Sequence, residues 1–141
     1  VNAYQFKGYS RRVETINSYY RFNMDLLRGD VRAELFSINP VYTKVRDEVP
    51  AYYGPGARVV DSLVADGCLI EGEIENSVLF RGVRVAKGAH VKNSILMQED
   101  DIREGVELEN VILDKSVTIH SRGRLIAPAQ YPIVIGKGTT I

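Results

Sequence analysis

A chain of 141 residues suits one domain, or one domain with a short appendage. Eighteen basic residues balance eighteen acidic ones, so charge favours neither nucleic acid nor an anionic membrane as a partner, and 45% apolar content excludes a disordered chain. The single cysteine, Cys68, excludes an internal disulfide framework and fits a reducing compartment; no apolar run approaches the ~20 residues of a membrane helix. Val1 heads no signal-peptide pattern, which makes the cytoplasm the expected location, and a first residue other than Met suggests a processed chain or a piece of a longer one.

The averages conceal a division. Of twelve aromatic residues, ten precede Gly54. Through Arg58 nine basic residues face six acidic ones, and from Val59 nine face twelve, giving +3 and −3. The expected organisation is a junction segment over 1–58 and a repeat domain over 59–141, joined near the turn-forming stretch Tyr52-Tyr53-Gly54-Pro55-Gly56.

In the junction, the spacing of Ile16, Tyr19, Tyr20, Asn23, Met24 and Leu27 predicts a helix that Thr15 caps and Gly29 stops. Asp30 is expected to cap a short second helix through Val31, Leu35 and Phe36. After Pro40 the chain reads as extended, with Val41, Thr43 and Val45 alternating against Tyr42, Lys44 and Arg46, until Pro50 and Pro55 break the pattern.

The rest is a repeat. Ile70, Val85, Ile102 and Ile119 form one column, at spacings of 15, 17 and 17. Asn76, Asn93 and Asn110 form a second, and Phe80, Met97 and Asp114 a third, each at 17. Apolar positions in steps of about six (Val85, Val91, Met97, then Ile102 and Leu108), with Ala89, Ile95, Val106 and Ile112 at the fifth place, are the signature of a parallel β-helix built from hexapeptides. Three sides make one coil, and the 83 residues from Val59 amount to four to five coils. Left-handed winding is what kinship with known hexapeptide helices implies. Gly72, Gly88 and Gly105 are expected at corners needing positive φ, and the Asn column at a corner where each amide bonds the backbone of a neighbouring coil. A narrow prism has little room for Tyr or Phe, and its open ends need cover, so the aromatic first half is the obvious cap.

Chemistry-bearing residues are few. His90 and His120 are the only histidines, and both read as surface residues rather than general bases. Glu99-Asp100-Asp101 reads as a solvated corner rather than a cation site, and Cys68 as a small buried residue rather than a nucleophile.

The segments TI-x-SYY-x-x-NMDLL (Thr15–Leu27), SLVADGC (Ser62–Cys68) and ENSVLFRGVRV (Glu75–Val85) resemble the C-terminal part of bacterial glucose-1-phosphate adenylyltransferases, over almost the whole chain. The resemblance implies a left-handed β-helix serving allosteric regulation and subunit assembly beside an ADP-glucose-forming catalytic domain. Active members carry Gly-Tyr-Trp-x-Asp-Val-Gly-Thr before the helix, and its Asp helps hold the catalytic magnesium. Here the stretch is Gly8-Tyr9-Ser10-Arg11-Arg12-Val13-Glu14-Thr15, with Arg12 at the carboxylate position. A guanidinium repels Mg²⁺ rather than ligating it. The chain thus resembles the GlgD-type, poorly catalytic or non-catalytic subunit, whose expected partner is a catalytic adenylyltransferase subunit in a hetero- or homo-oligomer. No cofactor is expected in this segment; Mg²⁺ and ATP belong to the catalytic subunit or domain. The family binds phosphorylated effectors at the crevice between domains, which makes Lys44, Arg46 and Arg58 candidate effector ligands, with Arg11 and Arg12 nearby. Against this, Tyr52 follows Val49-Pro50-Ala51 where the family often has a basic residue, and charged pairs on a solvated face would use the same side chains. Two alternatives stay open: a hexapeptide acyltransferase, and the C-terminal part of an active adenylyltransferase.

Overall fold

In the computed structural model, which describes residues 1–38 and 40–141, the repeat is a parallel β-solenoid. The first coil contains β1 (Tyr52–Tyr53), β2 (Arg58–Val60) and β3 (Leu63–Val64), the second β4 (Leu69–Ile70), β5 (Glu73–Glu75) and β6 (Val78–Leu79). The third contains β7 (Arg84–Val85), β8 (His90–Lys92) and β9 (Ile95–Leu96), the fourth β10 (Asp101–Ile102), β11 (Glu107–Glu109) and β12 (Val111–Leu113). The fifth contains β13 (Thr118–Ile119), β14 (Arg124–Ile126) and β15 (Ile133–Ile135). Every third strand pairs in parallel, which makes three five-stranded faces: β1-β4-β7-β10-β13, β2-β5-β8-β11-β14 and β3-β6-β9-β12-β15. They are called the first, second and third faces below. The stretch Tyr52–Gly56 is therefore no linker but the first strand and first corner, tied to the second coil by Tyr52 N–H to the Cys68 carbonyl and Gly54 N–H to that of Ile70 (both 2.8 Å).

The column Ile70–Val85–Ile102–Ile119 holds in register. The step of six does not hold throughout. Inward residues run Val85, Val91, Leu96, Ile102, Leu108, Leu113 and Ile119, so the third and fourth coils each count six, five and six. Met97, a step-of-six position, instead points outward on the third face with Ile95 and Ile112, and Leu96 takes the inward place. The cause is the Asn corner, which a single residue in the left-handed region turns: Asn76, Asn93 and Asn110 have φ of 45°, 46° and 55°. Asn adopts this conformation more readily than other non-glycine residues. The amides partly follow expectation. Asn110 donates to the Ala127 carbonyl (2.6 Å), whereas Asn76 donates to the Asn93 side chain (2.7 Å).

Gly88 and Gly105 take the positive φ expected of corner glycines, at 73° and 67°. Gly72 does not. The second coil is two residues shorter than its neighbours, and the loss falls at the Glu71–Gly72 corner. A Cβ at Gly72 would lie 2.5 Å from the Ala89 carbonyl oxygen and 2.7 Å from that of Ala86. Close approach, not backbone angle, requires glycine there.

Helix α1 (Ile16–Asp25) begins as the sequence predicts, at a capping box in which Ser18 N–H donates to Thr15 Oγ1 (3.1 Å) and Thr15 N–H to Ser18 Oγ (2.9 Å). It ends at Asp25, before Gly29. Gly29 starts α2 (Gly29–Arg32) instead, and a π-helical turn follows over Ala33–Ile38. Asp30 does not cap α2 either: Arg28 occupies the cap position and its guanidinium holds the Asp30 carboxylate at 2.7 Å. The extended segment from Pro40 to Pro50 forms no strand and is exposed throughout, because its alternating face meets no sheet. No helix among the described residues is long and apolar enough to cross a membrane.

Candidate functional site

The junction covers a side of the solenoid, not an end as expected of a cap. The outward column of the third face is aliphatic throughout: Leu63, Val78, Ile95, Ile112 and Val134. Helix α1 lies on its middle, where Tyr20 seals Ile95 and Ile112, with Tyr19, Met24 and Met97 packed around them. Each buried aliphatic side chain contributes about 1.5–3 kcal/mol, so this contact anchors the helix. The Tyr20 hydroxyl donates to the Asn93 carbonyl (2.6 Å) and stands 3.4 Å from Asn110 Oδ1. Burial first, and the Glu109 charge second, push this phenol above its ordinary value, so it remains a donor. One side chain thus joins helix, third face and Asn ladder. Sequence reading placed Tyr20 on the helix and the Asn residues at a corner, but nothing in the pattern said that they meet.

Beyond Tyr20 the stripe continues to Val134, which is 44% exposed. Val134, Ile112 and Met97 form one wall of a cavity of about 420 Å³ whose other wall is Val13, Ile16 and Tyr19, with Glu14, Thr15 and Asp114 completing the lining. The second face differs entirely. Its outward rows are Arg58–Glu73–His90–Glu107–Arg124 and Val60–Glu75–Lys92–Glu109–Ile126, in register across all five coils. Opposite charges alternate along the rows, as in Arg124–Glu107 (2.8 Å) and Lys92–Glu75 (3.8 Å).

The candidate effector residues are not gathered at one place. Arg46 pairs with Glu48 (2.9 Å) and approaches Glu99 (3.8 Å), beside the corner between the third and first faces. Arg58 stands on the second face and approaches Glu73 (3.8 Å), while Lys44 lies exposed on the extended segment. Arg11 stacks on the Tyr9 ring at 4.6 Å. Arg12 pairs with Glu14 at 3.0 Å, both of them exposed. The magnesium that the resemblance implies would not fit at Arg12, since an exposed guanidinium offers no hard oxygen donor.

His90 is an outward residue, its Nδ1 3.7 Å from Glu73, and His120 is exposed too. Cys68 is buried, donates to the Phe80 carbonyl (3.1 Å), and has its thiol pushed above the ordinary value by burial, so it is no thiolate nucleophile. The solvated-corner reading fails at one residue. Glu99 is exposed and Asp101 half-buried, but Asp100 is wholly enclosed. Its position lies in the inner column Cys68–Val83–Asp100–Val117, where the repeat otherwise places a small apolar residue.

Known proteins share this sequence pattern. The family described as "GlmU-like, C-terminal hexapeptide" matches residues 49–126. The chain belongs to that family. Over 98% of its length it is 42% identical to the glycogen biosynthesis protein GlgD of Bacillus subtilis (strain 168), covering 40% of that protein. It is 38% identical to the glucose-1-phosphate adenylyltransferases of Bacillus cereus (strain Q1) and Bacillus mycoides (strain KBAB4), over 89% of this chain and 34% of each relative. These matches bear out the adenylyltransferase resemblance read from Thr15–Leu27, Ser62–Cys68 and Glu75–Val85. The chain spans between about a third and two-fifths of the length of the relatives it matches.

Proposed function

We propose that this chain is the regulatory and assembly module of a GlgD-type subunit, which pairs with a catalytic glucose-1-phosphate adenylyltransferase subunit in glycogen synthesis and modulates it. One residue carries the non-catalytic reading: Arg12, ion-paired with Glu14 on the surface, stands where the resemblance implies a metal-holding carboxylate. The 42% identity to GlgD over nearly the whole chain supports the same subunit type. A solenoid with one face clamped to a helix, one face of alternating charge and an apolar cavity at the helix start offers rigid surfaces for subunit contact. Lys44, Arg46 and Arg58 stand apart and would contact a sugar-phosphate effector singly rather than as one pocket of this chain, and the cytoplasm is the proposed location. Co-expression of the full-length protein with a catalytic subunit tests the proposal. A stable complex with altered adenylyltransferase activity is expected. Separate elution of the two proteins with unchanged activity would sink it.

A further inference from the structure

The repeat column Phe80, Met97 and Asp114 follows the inward residues Leu79, Leu96 and Leu113, and each member donates its N–H to a carbonyl of the next coil. Two coils place an apolar side chain there and the next one a carboxylate. The change falls beside the first turn of α1, so Asp114 stands in the lining of the cavity of about 420 Å³, among Ile16, Tyr19, Met97, Ile112 and Val134. A row that served packing alone would continue apolar.

Asp114 is half-buried, and its Oδ1 accepts the Lys115 N–H at 2.7 Å. Among the described residues no lysine or arginine pairs with it. Its field reaches across the cavity: burial first, with the Asp114 charge behind it, outweighs the Asn23 side chain and holds the Tyr19 phenol above its ordinary value. Glu14, the other acid of the lining, already pairs with exposed Arg12, a contact that water weakens. One carboxylate set in apolar walls is what a ligand meets. Ile16 and Val134 are about half exposed, so an apolar body laid against them gains by leaving water.

These walls select by charge. An anion such as a sugar phosphate is repelled, and a neutral apolar ligand strips water from the carboxylate without giving it a partner. An ammonium group on an apolar body satisfies both requirements. The volume falls within the ~300–1,000 Å³ of small-ligand sites, and a lysine side chain, with its short unbranched stem, would leave part of it unfilled.

We propose that this cavity binds a free amphipathic amine, whose apolar body lies against Met97, Ile112 and Val134 and whose ammonium is held by Asp114. The site is separate from Lys44, Arg46 and Arg58 and takes a ligand of opposite charge.

The two methionines supply the readout, since Met97 lines the cavity and Met24, packed near Tyr20, does not. In the full chain with methyl-labelled methionine, near neutral pH, phenylbutylammonium is expected to move the Met97 resonance saturably, with a Kd of about 1 mM, and to leave Met24 in place. Phenylbutyrate, the same skeleton with the opposite charge, and an N-acetylated lysine amide should each bind roughly tenfold more weakly. Asp114→Asn keeps the oxygen that accepts the Lys115 N–H and removes the charge. It should weaken the amine about tenfold and abolish its advantage over phenylbutyrate. An unmoved Met97, equal binding of amine and carboxylate, a lysine amide as tight as the amine, or D114N behaving as the native chain would each overturn the proposal. So would sedimentation of the chain as a dimer that V134R dissociates, because a second copy would then fill the cavity. Should D114N fail to fold, Val134→Arg decides: a guanidinium in the wall should reverse the preference toward phenylbutyrate, and an unchanged preference refutes the site.

Discussion

The solenoid and the junction contain the same kinds of apolar residue and use them in opposite ways. From Cys68 to Ile119 the inward column is almost wholly shielded from water, because each coil is covered by the next copy of itself. Among the described residues of the junction, Tyr20 and Val31 are the only buried apolar side chains, and Tyr4, Tyr42 and Val45 are 82–93% exposed. A repeat carries its own packing partner one period away, so its fold is secured by local stacking. The junction has no period, and its apolar side chains are held only where they reach the solenoid. Tyr20 is the point where the two regimes meet.

Substitutions should separate the regimes. Ile102→Ala, in the middle coil stack, is expected to remove about 3 kcal/mol of stability, measured by denaturant unfolding, whereas Val45→Ala should change it by less than about 0.5. Equal effects would end the distinction. Gly72→Ala should cost about 2 kcal/mol, because its methyl group meets two carbonyl oxygens of the next coil; the same change at Gly136, where a Cβ would meet nothing within 4 Å, should be nearly neutral. Tyr20→Phe keeps the packing and loses the bond to Asn93, so a loss of about 1 kcal/mol is expected, with α1 exchanging its amides faster than the core strands. Arg122→Gly should raise stability by roughly 0.5–1 kcal/mol, since Arg122 sits at φ 64° in the column where Gly88 and Gly105 sit.

The pH dependence should also localise to the solenoid. The folded-state value of Asp100 is raised, so the fold binds its proton more tightly than the unfolded chain does. Stability is full below about pH 4 and declines as pH climbs to about 7. Thermal unfolding of D100N should show a flatter profile over that interval, with a melting temperature a few degrees above the native protein at neutral pH.

Most of the solenoid was legible in the sequence because its columns repeat at a fixed period. Ile70, Val85, Ile102 and Ile119 can be aligned by counting alone. The count failed at the third face, where an Asn turn uses one residue less than a hexad and sends Ile95 and Ile112 outward. Periodicity reports how often a position recurs but not which way it points. The site was less legible for a related reason. Tyr20 meets Asn93 across 73 residues, and no local pattern encodes such a contact. Asp100 looked like one member of an acidic run until the register set it among Val83 and Val117.

The coils also differ in how much chain they spend. One omits two residues at Glu71–Gly72, and the last carries an excursion over 127–132 between β14 and β15, ending in Tyr131 and Pro132. Neither disturbs the pairing on any face: Ile74 still meets Val91, and Ile112 still meets Val134. The prism is therefore indexed by its faces and indifferent to the length of its corners. Descendants of such a chain can lengthen or trim a corner without re-tuning the core, so new recognition loops are free to arise at positions such as 127–132 while the rod that displays them stays the same.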